Sequence, residues 1–537
     1  LKEEVPIYKT KIGREITIAP IYENIDSETA FNWTIDGKSI CTTSTLTFSA
    51  DEAGRYFILI SATNAGGTTE KEIRIDVFQL DVPTISIADA DKGFKVLQGS
   101  ELTITPIVDS FLETSYSWQI NGEDISNELT CTLPTIELGE YQVRFATHNE
   151  DGDDEVTFKV EVCSPDQVDF NWTFLQTEYN MSAGRTIRIK PVDVNNALDA
   201  VYTWTVDNEQ VQSGENDTYL FTSEQQGEHT VKVEMRNSYI LATQTLKINV
   251  CPPAGTYQRK ISATSSASMN RVYEYLPAPG QFINENHTTT TMAEACTYAE
   301  ERINQTAYVS LGGFGGYIIV GFDHSIVNDG DYNIAITGNA FDGSSEPGIV
   351  WVMQDENGDG LPNDTWYELR GSEYGKAETW QDYAVTYHKP TGIQLPTPWT
   401  DNHGQSGSID YLGAFHRQDY YYPAWVKEKQ YTLRGTRLKE RNYDQSGNGT
   451  YWVNDSYEWG YADNFSAIDR LTDDDNYNAG PSDNHFKISH AVTFDGKDAN
   501  LKYVDFIKVQ VGVNSKSGWL GEISTEVFGI KDFNMIK

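Results

Sequence analysis

Along residues 1–253 apolar and polar positions alternate with a period of two, and turn residues interrupt the alternation at regular intervals. That is the pattern of strands with one buried face. Three stretches are versions of one strand: IGREITIAP (12–20), QGSELTITP (98–106) and AGRTIRIKP (183–191). Three more are versions of a second: FNWTIDGKSI (31–40), YSWQINGEDI (116–125) and YTWTVDNEQV (202–211). Each repeat then reaches a longer alternating run, from Gly54, Gly139 and Gly227, and closes on a last strand, EIRIDV, TFKVEV or LKINV. The tryptophans Trp33, Trp118 and Trp204 stand 85 and 86 residues apart, the size of one β-sandwich rather than of a solenoid repeat. Asp36-Gly37 and Asn121-Gly122 are hairpin-turn pairs, and Asp207-Asn208 holds the same place less ideally. The spacing predicts three modules, 1–82, 83–165 and 166–253. None gathers aromatic and polar residues into a binding cluster, so the modules read as a stalk that holds a terminal domain away from a surface.

From residue 254 the 85-residue period stops. Strand-like runs continue at 315–322, 332–341, 348–354, 382–389, 504–513 and 522–530. One helix is predicted at 291–304, apolar at Met292, Ala295, Cys296, Ala299 and Ile303. Antiparallel strands joined by long Gly/Asn/Asp loops predict a larger jelly-roll-type β-sandwich over 254–537, with an insertion near 360–463. The fold class is therefore all-β: three tandem immunoglobulin-like sandwiches, then the larger sandwich.

Composition narrows the function. The net charge of −39 at pH 7 excludes the basic footprint that nucleic-acid binding needs, and suits divalent cations. Aromatic residues make up 12% of the chain, enough for packed cores rather than disorder. No apolar run reaches the length of a membrane span. The chain starts LKEEVPIYK, without a signal peptide, and reads as a mature fragment. The five cysteines, Cys41, Cys131, Cys163, Cys251 and Cys296, lack CxxC spacing and read as free, buried thiols.

Two features carry chemistry. The segment WVMQDENGDGLPNDTWYE (351–368) spaces oxygen side chains at every second residue and turns on glycine, the pattern of a Ca²⁺ loop. An EF-hand needs Glu at position 366; Trp366 stands there, so the loop belongs to the shorter structural type. Its predicted ligands are Asp355, Asn357, Asp359 and Asp364 with the Leu361 carbonyl, and Glu346 or Glu368 to complete the shell. A second acidic run, 469–476, lacks that alternation and reads as a solvated loop. The other feature is aromatic: DYYYPAWV (419–426) and YWVNDSYEWGY (451–461) neither alternate nor lie among apolar residues. Tyr421, Tyr422, Trp425, Trp452, Trp459 and Tyr461 offer flat faces for a glycan or a corrinoid, or else pack insertion loops onto the sandwich. No catalytic motif is present: no GxSxG, HExxH, Walker A loop or Cys/His dyad. The histidines lie scattered in polar loops and read as surface residues, and GGFGG (312–316) feeds a strand rather than a helix, against a phosphate cradle.

The Trp strands with their turns, and the Gly-aromatic strands that follow, resemble PKD-like modules over 1–253. The segment VDFIKVQVGVNSKSGWLGEISTEVFGI (504–530) resembles the closing strands of galactose-binding-like jelly rolls. The order of 272–284, 310–326, 346–369 and 504–510 resembles the large cell-surface proteins of Bacteroidota, with PKD-like repeats and this type of C-terminal domain. That resemblance implies export to the outer-membrane surface, an N-terminal lipid anchor outside this chain, and association with TonB-dependent uptake of a corrinoid (vitamin B12) or a glycan. A glycan-active hydrolase built on two loop carboxylates, or a purely adhesive surface protein, are the alternatives.

Overall fold

The computed structural model describes all 537 residues except 1–4, 88–89, 111, 136, 165–166, 168–171, 196, 198, 238–239, 288 and 473–479. It divides into two compact units. One comprises Leu1–Ser86, Val108–Glu128 and Val143–Thr157; the other comprises Ile87–Ile107, Leu129–Gln142 and Phe158–Lys537. The division runs through the second repeat.

In the first unit, the first repeat forms a five-stranded sheet in the order Ile7–Lys11, Gly67–Phe78, Gly54–Asn64, Ala30–Ile35, Lys38–Cys41. A pair of short strands, Ile16–Ile18 and Leu46–Phe48, supplies the rest of the core, which closes on Trp33 with Ile58, Ile60, Ile73 and Ile75. The alternation in the sequence is the alternation of these inward side chains. Trp33 is fully buried, and its indole N–H donates to the Thr43 carbonyl at 2.8 Å. The central strand of the second repeat, Ser115–Ile120, follows the same plan. Trp118 is fully buried, donates to the Glu128 carbonyl at 2.9 Å and lies 4.5 Å from the Phe145 ring.

In the second unit, the third repeat carries the five-stranded order again: Glu178–Ser182, Leu241–Cys251, Gly227–Arg236, Val201–Val206, Glu209–Gly214, around a fully buried Trp204. All three hairpin pairs adopt left-handed backbone. Asp207-Asn208 does so at φ 47° and 73°, so it turns as Asp36-Gly37 does despite lacking glycine. The Asp207 carboxylate accepts the Thr230 N–H at 2.9 Å, which fixes the turn from the neighbouring strand.

Residues from 254 onward build a six-stranded antiparallel sheet in the order Arg271–Leu276, Tyr317–Val327, Tyr503–Val511, Gly348–Met353, Trp366–Leu369, Ala491–Val492. A three-stranded sheet holds Ser482–Phe486, Ile334–Gly338 and Gly529–Asp532. A four-stranded sheet, Ser406–Ile409, Thr397–Asp401, Trp380–His388 and Gln430–Arg437, falls inside the expected insertion. One core spans them, including Val320, Val350, Ile507, Ile336, Ile530, Val385 and Leu433. The helix runs Met292–Asn304, with Thr291 as N-cap accepting the Glu294 N–H; Ala295, Ala299 and Ile303 are its buried face. Among the described residues no helix is long and apolar enough to cross a membrane. All five cysteines are free thiols; Cys131, Cys163 and Cys251 are buried and Cys41 and Cys296 half-buried. In GGFGG, a Cβ on Gly316 would lie 1.9 Å from the Leu311 carbonyl oxygen, so that run packs backbone on backbone.

The third repeat is more than a spacer. Its Ser182 N–H donates to Glu356 at 3.1 Å, the Asn180 amide donates to the Asn363 carbonyl at 3.2 Å, and Arg185 donates to the Ala499 carbonyl at 2.6 Å. Arg188 and Lys190 both pair with Asp382, at 2.9 and 2.8 Å, and Arg434 pairs with Asp193. The third repeat is thereby fastened to the C-terminal sandwich at several points.

Candidate functional site

The acidic loop is a hairpin connection. Gly348–Met353 leads in and Trp366–Leu369 leads out, paired with Trp351 opposite Glu368 and Met353 opposite Trp366. Asp355 is 3% exposed; its carboxylate accepts N–H bonds from Gly358 at 2.7 Å and Gly360 at 3.0 Å, both glycines in left-handed backbone. Asn357 donates to Asp359, Asn363 donates to Asp359, and Asp359 accepts the Leu361 N–H at 2.8 Å. Asp364 accepts the Glu356 N–H at 3.0 Å through one oxygen; its other oxygen, like Oε1 of Glu356, is buried without a hydrogen-bond partner. Burial, then neighbouring acids, push the Asp364 carboxyl up to about 8; burial pushes Glu356 to about 7 against the pull of Arg185. Of the predicted ligands Asp355, Asn357, Asp359, Asp364 and the Leu361 carbonyl, Asp364 is the one that keeps a buried oxygen without a partner, and among the described residues the carboxylates that gather within 4.8 Å are instead Glu346, Asp463 and Glu526.

Neither proposed completing residue reaches the loop. The Glu368 carboxylate accepts the Thr436 hydroxyl at 2.5 Å, on the strand Gln430–Arg437. Glu346 instead joins Asp463 and Glu526, whose carboxylate oxygens lie within 4.8 Å of one another; burial raises all three. Trp366, which ruled out an EF-hand, has a packing role: its ring stands 5.4 Å from the Lys508 ammonium, with Trp351 at 4.8 Å and Tyr317 at 5.6 Å.

The aromatic segments mostly pack. Tyr421 and Tyr422 are each 1% exposed, Trp425 6% and Tyr461 2%, so these four are core residues rather than a ligand platform. The Tyr421 hydroxyl donates to the His416 carbonyl, that of Tyr422 to the Glu428 carbonyl, and that of Tyr461 accepts the Glu373 N–H. Satisfied hydroxyls on buried rings are what a long insertion needs to close over a sandwich, which is why these segments lack strand alternation. Trp452 is half-buried, with Gly518 packed against its indole nitrogen.

Trp459 is the exception. It is half-buried and lines a cleft of about 240 Å³ with Tyr332, Leu369, Arg370, Gly460, Ile468, Asp469, His485, Phe486, Lys487 and His490. Its ring lies 5.1 Å from that of His490. Gly460 makes the close approach possible: a Cβ there would fall 2.5 Å from the Gly371 Cα. The Gly460 N–H donates to Asp469 at 2.6 Å and the Asn484 amide donates to its other oxygen at 2.9 Å. Asp469, 2% exposed, is thus a floor residue and not part of a solvated loop, while 473–476 of that acidic run lie outside the described residues. His485 donates from Nδ1 to the Asp469 carbonyl at 2.8 Å. Burial, then Arg370 and Lys487, lower the His490 pKa, so its ring is neutral at pH 7. The two histidines therefore belong to a cleft, contrary to the surface reading. The dense run HFKISH (485–490), with Phe, Lys and two His in six residues, was the signal in the sequence.

A profile of the PKD-like domain family matches residues 1–64, 82–149 and 154–237. No curated protein matches the chain. Among solved structures, the I-band fragment I67–I69 of titin is 13% identical, with TM-score 0.22, over 47% of this chain and 98% of that one. The Clostridium thermocellum CbhA fibronectin(III)-like modules are 16% identical, with TM-score 0.18, over 33% of this chain and 100% of theirs. A Bacteroides ovatus mixed-linkage glucan utilization locus protein, SGBP-B, solved with a mixed-linkage heptasaccharide, is 11% identical, with TM-score 0.17, over 95% of this chain and 96% of that one. At these identities and scores none of the three bears on what this chain binds.

Proposed function

We propose that the chain is a non-enzymatic, cell-surface binding protein that holds a glycan in the Trp459 cleft. The observation that carries this is the cleft's lining: aromatic rings for stacking beside Arg370, Lys487 and two imidazoles that donate and accept hydrogen bonds. Sites that enclose drug-sized ligands run about 300–1,000 Å³. At about 240 Å³ the cleft takes one sugar ring, whereas a corrin macrocycle would engage it by an edge. Hydrolysis needs two free carboxyls set about 5–10 Å apart. Asp469 is the one carboxylate among the described lining residues, and both its oxygens are engaged, which supports binding over turnover.

The acidic loop is proposed as a structural Ca²⁺ site that stiffens the seat of the third repeat, through Glu356 to Ser182 and Asn363 to Asn180. The repeats-plus-sandwich plan resembles that of exported Bacteroidota surface proteins, and on that resemblance the proposal extends to a lipid-anchored position outside the outer membrane and delivery to a TonB-dependent transporter.

The test is titration of the chain with a panel of neutral and acidic oligosaccharides and cobalamin. A saccharide bound without turnover, and lost in Trp459→Ala, is the expected result. Product release, or cobalamin as the sole ligand, would overturn the reading.

A further inference from the structure

The chain holds 79 acidic against 40 basic side chains, so a cleft drawn at random from its surface would be acidic. The Trp459 cleft is not. Among the described residues its charged lining is Arg370, Lys487 and Asp469, and Asp469 is buried with both oxygens hydrogen-bonded. Both cations line the cleft together with His490, whose ring stands against Trp459.

Each cation has an acidic neighbour, and each pair is exposed to solvent. Arg370 meets Asp498 at 2.6 Å, with the side chains 36% and 56% exposed; Lys487 meets Asp331 at 3.7 Å, at 30% and 69%. Ion pairs this exposed are screened by water and salt and break at little cost. Lys487 also lies 4.6 Å from the Tyr332 ring centroid, which keeps its ammonium at the aromatic wall.

We propose that the cleft selects a ring ligand bearing an anionic group, a carboxylate or a phosphate, with the ring against Trp459 and the anion between Arg370 and Lys487. This rests on the cleft being the ligand site. A neutral sugar can use the aromatic wall and the imidazoles, but it leaves the two cations with their surface partners. An anionic one replaces those screened pairs with charge-assisted hydrogen bonds in a half-enclosed space. Neutral His490 adds an N–H donor without a competing charge.

Calorimetry on the full chain decides this with three probes: a glucuronate disaccharide, glucose 6-phosphate and neutral cellobiose, at low and high salt. At least one anionic probe is expected to bind tenfold or more tighter than cellobiose, and whichever does identifies the group. Raising the salt should shrink that advantage. Arg370→Gln with Lys487→Gln should erase it, bringing the anionic probes down to the affinity of the neutral one. The salt series on the unaltered protein reads the same effect if the double variant fails to fold.

Equal affinity for all three probes, lost together in Trp459→Ala, would keep the site and overturn anion selection. Absence of binding by every probe, or binding indifferent to Trp459→Ala, would overturn the cleft as the ligand site and the selection with it.

Discussion

The acidic loop and the Trp459 cleft both draw on Asp, Asn, Gly and aromatic residues, and they end as electrical opposites. The loop crowds Asp355, Glu356, Asp359 and Asp364 together, with Arg185 the nearest compensation and buried oxygens left without partners. Among the described residues, the cleft engages its one carboxylate with Gly460 and Asn484 and is lined by two cations. The lesson is that charge content in the sequence does not give the sign of a site. What decides is which carboxylate oxygens find partners: both oxygens of Asp469 are engaged, whereas Asp364 and Glu356 each keep a buried oxygen without one.

The largest effects should separate core aromatics from the cleft. Trp425→Ala empties a fully packed position and is expected to cost about 3–5 kcal/mol, read as a fall in melting temperature, with affinity of the folded protein unchanged. Trp459→Ala should do the reverse: a drop in saccharide affinity of at least tenfold, about 1.4 kcal/mol, on a nearly unchanged melt. A stable Trp425→Ala that no longer binds would move the site away from the cleft.

Next comes the loop. A cation present at a hundred times its Kd contributes about 2.7 kcal/mol, so chelation should lower the melting temperature by roughly 5–10 °C. Asp355→Ala with Asp359→Ala should remove the response to chelator while leaving affinity at the cleft alone. A chelation effect that survives those substitutions would assign the cation elsewhere, with the Glu346, Asp463 and Glu526 cluster the next place to look.

Smaller again is the fastening of the third repeat. Arg185→Ala removes the bond to the Ala499 carbonyl and is expected to cost about 1 kcal/mol, seen as faster protease cleavage near residues 252–256. Cleavage at the rate of the unaltered chain would mean that the remaining contacts carry the junction.

A separate effect, spread over pH rather than tied to one contact, comes from interior acids outside both centres. Burial raises the Glu368 carboxyl to about 7 and that of Glu522 to about 8, from an ordinary value of 4.5. In that window the folded chain holds protons that the unfolded chain has released, so stability is greatest on the acid side and falls as pH rises from about 5 to 8. Each group contributes at most about 1.4 kcal/mol per pH unit. Glu522→Gln should flatten the melting temperature between pH 6 and 8, and an unchanged slope would remove Glu522 from the explanation.

The repeats were legible because each strand states its own burial. Trp33, Trp118 and Trp204 sit at one position of a period-two pattern, and all three are fully buried. The helix was legible to within a residue, because Thr291 caps it and Ala295, Ala299 and Ile303 mark its inner face. The cleft was not, because Arg370, Trp459 and His490 meet across a separation of 120 residues. Tyr421, Tyr422, Trp425 and Tyr461 misled for the opposite reason: insertion loops bury aromatics without any period, so they look like a displayed surface. The junction between the third repeat and the sandwich was hidden for the same cause, since Ser182 and Glu356 are 174 positions apart.

In each repeat the first strand runs parallel to the last: Ile7–Lys11 beside Arg74–Phe78, Phe94–Leu97 beside Val160–Cys163, and Glu178–Ser182 beside Lys247–Cys251. Tension along the chain therefore pulls these paired strands past each other in shear. Their ladder bonds are loaded together and must fail together, where an antiparallel terminal pair would unzip one bond at a time. A module joined in this way resists force applied between its two ends, which the order of its strands along the chain would not by itself reveal.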